Sequence, residues 1–244
     1  MEPQLWITAL LNRLLAGPVL GLMNLLRIQP SEPLHPITNF VAMQLVVFMV
    51  LMVFFLIVRS GLSVETPSGL QHVMETIHTF VQEQSHEIIG HGSERFTPFL
   101  VALGLFILSS NLIGMIPSLE SPTANAAVPL GCAIIAFAYY HWKGIRAQGP
   151  LGYAKHFMGP LPILAPLMIP IEIISHLARV LSLTIRLYAN IFAGDMVTLV
   201  FFSLVPLGVP VLFLGLHVGV SLLQAYIFVL LTTVYLSGAV SHEH

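Results

Sequence analysis

The chain has 244 residues, of which 56% are hydrophobic and only 8% charged, and its mean hydropathy is +0.89. Soluble domains contain about 25% charged residues, so this composition excludes an ordinary soluble protein and indicates one embedded in a membrane. Nine Lys and Arg nearly balance eleven Asp and Glu, which gives no basic excess for nucleic acid, and the single cysteine, Cys132, excludes a disulfide framework.

Four segments follow one another in the first 142 residues. Residues 1–36 alternate apolar and polar side chains, which predicts an amphipathic segment lying on the membrane. Residues 37–58 are uncharged and long enough for a transmembrane helix. Residues 66–92 place apolar side chains at helical spacing among glutamates and histidines, which predicts an amphipathic interfacial helix. Residues 96–142 contain two apolar runs separated by the short turn SLESP and predict a transmembrane hairpin.

Two further segments complete the chain. Residues 143–160 are rich in glycine and proline and carry Lys143, Arg146 and Lys155, so they predict a polar loop on the cytoplasmic side, or the matrix side in a mitochondrion. Residues 161–241 contain two long apolar helical patterns separated by PLGVP and predict a long helical hairpin. We therefore expect an all-α polytopic membrane protein with about five membrane-embedded helices plus amphipathic interfacial helices.

The strongly polar side chains of the first hairpin helix fall on one stripe. At 100° per residue, they lie within about 120° of one another: Glu172, His176, Arg179, Ser182, Arg186 and Asn190. On the second helix His217, Ser221 and Gln224 share one face, to which Tyr235 returns. Both polar faces should turn towards a common interior. Asp195 falls on a different face of the first helix, where it could cap an interface or line an aqueous entrance.

Ordinary packing gives a second interpretation for several of these residues. His176 and His217 could be hydrogen-bonded packing histidines, and Arg179 could be purely structural. The amide and hydroxyl groups on the stripe could simply join helices by hydrogen bonds, a role compatible with function.

Arg186 is the residue that this interpretation explains least well. An arginine at mid-membrane costs about 3 kcal/mol or more and does not lose its proton. Glu172 lies 14 residues away, about 21 Å along the helix, and Asp195 lies on another face. The sequence therefore supplies no evident counter-ion for Arg186, unless the side chain reaches an interface, and the missing anion could come from another subunit.

The same residues can be compared with three other functions. The stretch HEIIGHG suggests a metalloprotease, but its histidines are five apart and therefore do not share a helical face. A secondary transporter would show an internal repeat and paired broken helices, and neither is evident. A polytopic scaffold without a transport role would tolerate replacement of Arg186.

Three segments, FILSSNLIGMIP, SLTIRLYANIFAGDM and HVGVSLLQAYIFVLLTTVYLSGAV, follow one another from about residue 97 to the C-terminus. In sequence and in order they resemble subunit a of the rotary F-type ATP synthase. The spacing Arg-x-x-x-Asn alone would be weak, whereas three motifs in order are specific.

The resemblance implies a position beside a ring of c-type hairpin subunits, each with one carboxylate buried in the membrane. Arg186 matches the family's essential arginine, which would face each ring carboxylate and block proton leakage between two offset half-channels. Peripheral-stalk b-type subunits and the lipid bilayer would be the other partners. The transported ion would be the proton, with no cofactor, metal or nucleic acid, and the chain would not be catalytic by itself.

The resemblance also implies roles for the other polar residues of the last two helices. Asn190 and Gln224 match positions beside the arginine, Asp195 and His217 match positions that line one half-channel, and Glu172 and His176 match a polar region of the access path. Arg179, Ser182 and Ser221 would be supporting polar residues. The last two helices would lie strongly tilted along the ring. We expect the bacterial inner membrane as the location, with the mitochondrial inner membrane as the alternative.

Overall fold

The computed structural model describes residues 5–25, 36–63, 67–116, 119–158, 165–204 and 208–240, and these ranges contain no β-strand. Their α-helices, in chain order, are α1 (Trp6–Leu25), α2 (Asn39–Ser60), α3 (Gly69–Ile89), α4 (Thr97–Ile113), α5 (Ala127–Met158), α6 (Ala165–Leu204) and α7 (Val209–Val240). Short 3-10 helices at Ser93–Arg95 and Pro122–Ala124 precede α4 and α5. The predicted all-α polytopic class is confirmed.

Four of the described helices are long and apolar enough to cross a membrane: α1, α2, α6 and the Val211–Val240 part of α7. The first of them occupies part of the segment predicted over residues 1–36, of which 1–4 and 26–35 lie outside the described residues. Its length and composition would suffice for a crossing, so a position on the membrane surface stays a prediction. The apolar helix α4 is shorter than these four.

Residues 143–160 differ from the predicted polar turn region. The helix α5 continues through them as far as Met158, with one interruption at Gly149, where φ is 75° and ψ is 161°. Glycine adopts this positive φ without a side-chain clash, and Pro150 suits the first turn of the helical stretch that follows. Gln148 donates from Nε2 to the Ala239 carbonyl at 3.2 Å, which ties this part of α5 to the end of α7.

The apolar core lies where α4, α5, α6 and α7 meet. Its buried side chains come from all four helices and include Leu103, Ile107, Cys132, Ala133, Ala136, Leu183, Leu187, Ile191, Ala225 and Phe228. Gly104 allows α4 to approach α7 closely, because a Cβ there would lie 2.9 Å from Cγ2 of Val229. The buried faces of α6 and α7 are thereby fixed against α4 and α5.

The amphipathic helix α3 packs its apolar side against α4 and α7. Val81 is buried in the same cluster as Leu100 and Leu236. Ser237 donates from its hydroxyl to the Ile88 carbonyl at 3.0 Å, which joins the end of α3 to α7. The predicted helix over residues 66–92 is thus present between residues 69 and 89, and residue 66 lies outside the described residues.

The helix α6 is much longer than a bilayer is thick. Its 40 residues extend about 60 Å at 1.5 Å per residue, whereas the hydrocarbon core is about 30 Å thick. An upright α6 would therefore project well beyond the membrane, and only a tilted one keeps most of its apolar surface in lipid. The 32 residues of α7 run back along it.

Candidate functional site

Three contacts of polar or charged side chains between α6 and α7, among the described residues, show that the two helices are antiparallel. Arg179 lies with Cζ 5.0 Å from the ring centroid of Tyr235. Asn190 donates from Nδ2 to Oε1 of Gln224 at 2.8 Å. Asp195 and His217 bring Oδ1 and Nδ1 to 3.6 Å. As residue numbers rise on α6 they fall on α7, so the polar faces of the hairpin meet along its length.

Arg186 lies between these contacts without a carboxylate partner. Its guanidinium donates from Nη2 to the Ser182 hydroxyl at 3.3 Å. Within the described ranges no carboxylate oxygen lies within 4 Å of it. Ser182 and Asn190, one turn to either side, are exposed, as is neighbouring Ile185 at 53%. Arg186 is itself half-buried and therefore sits at the edge of an uncovered face of α6.

A second polar cluster lies towards the start of α6. His176 is buried, and its two ring nitrogens have different partners: Nε2 lies 3.3 Å from Oε1 of Glu172, and Nδ1 lies 2.8 Å from the hydroxyl of Tyr140. The ring of His141 is 4.7 Å from that of His176, and its Nδ1 is 2.6 Å from the Tyr153 hydroxyl. This arrangement links a carboxylate, an imidazole and a phenol in one series of polar contacts.

Sequence reasoning missed the contribution of α5 to this cluster. Tyr140, His141 and Tyr153 were not predicted as site residues. The only signal was the run YYHW at residues 139–142, a polar aromatic cluster at the end of an apolar helix. A polar stripe on one helix does not show which other helix packs against it. The contact between α5 and the stripe of α6 could therefore be identified only from the structure.

A third polar cluster lies towards the end of α6, around Asp195 and His217. The His217 side chain is 5% exposed and that of Asp195 39%. Gly194 allows the imidazole to lie directly against α6, because a Cβ at that position would be 2.8 Å from Nδ1. A cavity of about 930 Å³ opens onto both side chains. Among the predicted positions on α6, Asp195, which was expected to lie off the stripe, is thus the one in the lining of this cavity.

Ser221 lies between the second and third clusters and is fully buried. Its backbone carbonyl accepts from Nδ2 of Asn111 on α4 at 3.4 Å, and Oδ1 of Asn111 accepts from the Thr123 hydroxyl at 2.7 Å. The asparagine of the NLIGMIP segment therefore holds α7 beside α4. This contact supports the hairpin rather than lining the cavity.

The structure thus brings ten predicted positions into three groups rather than one. Glu172, His176 and Arg179 lie near α5 and the end of α7, Ser182, Arg186, Asn190, Ser221 and Gln224 lie in the middle, and Asp195 and His217 lie at the far end. In the described part of the chain, no three His, Cys, Asp or Glu residues are placed to hold a metal ion.

Fold and site together define a multi-pass α-helical membrane protein whose last hairpin carries titratable groups on both sides of Arg186, an arginine with no carboxylate partner among the described residues. A family model described as ATP synthase A chain matches residues 40–237. The protein named ATP synthase subunit a of Koribacter versatilis (strain Ellin345) is 55% identical over 244 residues, which cover 100% of both chains. That of Solibacter usitatus (strain Ellin6076) is 51% identical over 96% of this chain and 99% of the relative.

A third relative, ATP synthase subunit a of Sulfurihydrogenibium sp. (strain YO3AOP1), is 40% identical over 84% of this chain and 98% of its own length. The chain belongs to the ATP synthase subunit a family. Members of this family are membrane proton-channel subunits and are not catalytic by themselves.

Proposed function

We propose that this chain translocates protons in an F-type ATP synthase and provides, through Arg186, the fixed contact for the carboxylates of a rotating c-type ring. Proton entry and exit occur through two aqueous half-channels on opposite sides of the arginine. Proton flow through them turns the ring, and rotation drives ATP synthesis elsewhere in the complex. Family membership and the geometry of the last hairpin support this proposal.

The observation that carries the proposal is the position of Arg186. A guanidinium stays charged in the membrane, and leaving it unpaired there is costly. Arg186 has a hydroxyl partner but no carboxylate within 4 Å among the described residues, and it lies at the edge of an uncovered face of α6. A carboxylate carried by a neighbouring subunit would supply the missing anion and would be held in its ionised form.

The positions of the other two clusters suit two offset access paths. Glu172 and His176 lie towards one end of α6, and Asp195 lies nine residues beyond Arg186. At 1.5 Å per residue, Glu172 is about 21 Å and Asp195 about 14 Å from the arginine along the axis. Carboxylates and imidazoles exchange protons near neutral pH when their surroundings tune them, whereas the arginine does not. Each cluster can thus serve one path, with the arginine between them as the barrier.

The barrier is what couples the proton gradient to rotation. One proton crossing 100 mV releases about 2.3 kcal/mol, and a direct leak between the two paths would dissipate it. A fixed cation repels hydronium and attracts a ring carboxylate, so a proton crosses only while it is bound to the ring. Asn190 and Gln224, joined at 2.8 Å one turn from Arg186, would keep this part of the hairpin rigid.

The same family membership supports the partners and the location. Besides the ring, we infer contacts with peripheral-stalk b-type subunits and with lipid, and we place the complex in a bacterial inner membrane. The relatives named above are bacterial, and the described part of the chain includes four helices long and apolar enough to cross a membrane.

Replacing Arg186 tests this function. In Arg186→Ala we expect assembled complexes with normal subunit content, ATP synthesis at background level and no ATP-driven proton pumping. Arg59→Ala is the matched control, since Arg59 is an exposed arginine in the last turn of α2. Synthesis and pumping are measured in vesicles containing the intact complex. An Arg186→Ala complex that still makes ATP would favour the scaffold interpretation and refute the proposal.

A further inference from the structure

The cavity beside Asp195 has a third titratable group at its edge. It is bounded by the start of α2, the connection between α4 and α5, and the facing parts of α6 and α7. Among its described lining residues, the titratable ones are Glu120, Asp195 and His217. Its volume of about 930 Å³ is large compared with the roughly 30 Å³ that a water molecule occupies in the liquid. The cavity is therefore wide enough for a connected chain of water.

His217 lines the same cavity, and one of its ring nitrogens has no described partner. Its Nδ1 lies beside Asp195, but Nε2 is buried and has no hydrogen-bond partner among the described residues. Leaving a buried polar atom unpaired costs about 1–3 kcal/mol, so this nitrogen needs a polar partner that the described side chains do not supply.

Glu120 is exposed at the edge of the cavity, and its carboxylate is held there. Asn39 donates from Nδ2 to Oε1 of Glu120 at 3.4 Å, while Oδ1 of Asn39 accepts from the Leu5 backbone N–H at 3.2 Å. Just before α2, Asn12 on α1 forms two hydrogen bonds with the backbone of Ile37, at 2.9 and 3.0 Å. The N-terminal helix thus fixes the start of α2 and, through Asn39, the position of the carboxylate.

We propose that Glu120 is a proton-collecting carboxylate at the mouth of this cavity and that Asn39 is its positioning residue. The proposal rests on the proposed function, because it assigns the entrance of one of the two access paths. The carboxylate takes a proton from hydronium, leaving water and a neutral carboxylic acid. The acid then passes the proton to water in the cavity, which delivers it to the Asp195–His217 pair and leaves Glu120 ionised again.

A collecting carboxylate has a distinct dependence on pH. Hydronium is abundant at acidic pH, and entry there does not require an additional base. At alkaline pH hydronium is scarce, and a negative charge at the mouth raises its local concentration, an effect that reaches 10-fold or more at clefts lined by one sign of charge. The contribution of Glu120 should therefore grow as the pH on its side of the membrane rises.

The test uses the intact ATP synthase in proteoliposomes, with the pH of the compartment facing Glu120 varied at constant total protonmotive force. In Glu120→Gln we expect a synthesis rate close to that of the unmodified complex at about pH 6 and about three- to tenfold lower at about pH 8.5. Asn39→Ala should lower the alkaline rate in the same direction but less. Glu94→Gln is the matched control and should leave the profile unchanged, since Glu94 is exposed in a 3-10 helix that does not line the cavity.

Two results would overturn this inference: a Glu120→Gln profile that superimposes on that of the unmodified complex, or a loss that is uniform at all pH values, as a purely structural role predicts. If Glu120→Gln fails to assemble, the alkaline rates of Glu120→Asp and Asn39→Ala decide in the same way, the first retained and the second lowered. Arg186→Ala is measured in parallel. Its inactivity together with an unchanged Glu120→Gln profile refutes only the collecting role, whereas coupled synthesis in Arg186→Ala refutes the proposed function.

Discussion

Gly194→Ala should disable the Asp195–His217 pair without unfolding the protein. The added Cβ would lie 2.8 Å from Nδ1 and 3.0 Å from Cε1 of His217, whereas ordinary van der Waals contact begins at about 3.4 Å. The imidazole must therefore shift by roughly 0.6 Å or more, and Nδ1 is the atom that faces Asp195 at 3.6 Å. His217 is buried, so it has little room for this shift.

The expected loss follows from the cost of overpacking. Forcing an extra methyl group into a packed site costs about 1–3 kcal/mol. If the imidazole relieves that strain by leaving its position beside Asp195, the productive arrangement becomes rarer by roughly 5- to 150-fold, at 1.36 kcal/mol per factor of ten. Alanine also favours the helical state over glycine by about 1 kcal/mol. This gain in helix stability offsets part of the strain in the free energy of unfolding. We therefore expect the complex to assemble while proton transfer is lost.

The assay is ATP-driven proton pumping in vesicles, with the amount of assembled complex measured in parallel. Gly131→Ala is the matched control, because a Cβ at this position of α5 would meet nothing within 4 Å. In a double-mutant cycle, Gly194→Ala should add little to the loss already caused by His217→Ala, since both act on the same ring. Full and independent losses in the double variant, or normal pumping by Gly194→Ala, would refute the reasoning.

Two other predictions follow from contacts in the hairpin. Tyr140→Phe removes the hydroxyl that lies 2.8 Å from Nδ1 of His176, and the loss of one such bond, worth about 0.5–1.5 kcal/mol, should lower pumping by about two- to tenfold. Tyr139→Phe, a neighbouring change on the same helix, should not, and equal losses in both would exclude a role for this contact. A cysteine introduced as Ile185→Cys should crosslink to a helix of the ring subunit, whereas Phe48→Cys on α2, equally exposed at 53%, should not. If neither variant crosslinks, the ring does not contact this face of α6.

The hairpin could be predicted from the sequence because its signals are local. Helical periodicity placed Arg186 and Asn190 on one stripe, and a short break between two long apolar patterns requires the helices to fold back. When the two helices fold back, their polar faces are most stable in contact with each other rather than with lipid. The contact between Asn190 and Gln224 is of this kind, since it joins two faces already identified by periodicity.

The remaining contacts depend on which helices become neighbours, and periodicity carries no information on this. Tyr140 reaches His176 from 36 residues away, and Asn39 reaches Glu120 from 81 residues away. Glu120 lies in the SLESP turn, for which the sequence predicted a short connection but no contact with α2. Within the predicted loop at residues 143–160, residues 143–158 are helical except at Gly149, and 159–160 lie outside the described residues. The glycines and prolines suggested a turn, but contacts with the end of α7 support helix on both sides of Gly149.

The separation of the polar clusters along α6 explains why a cavity is needed at all. Glu172 and Asp195 are 23 residues apart, about 35 Å along the axis, slightly more than the 30 Å hydrocarbon core. On an upright helix both would reach water directly, and neither would need a path through protein. A 40-residue helix that keeps its apolar surface in lipid must tilt, and the tilt moves both clusters below the membrane surface. Under the proposed function, water would then reach Asp195 through an opening such as the one bounded by α2, α6 and α7. The tilt that would present the arginine to a long arc of the proposed ring would therefore also make the two proposed access paths necessary.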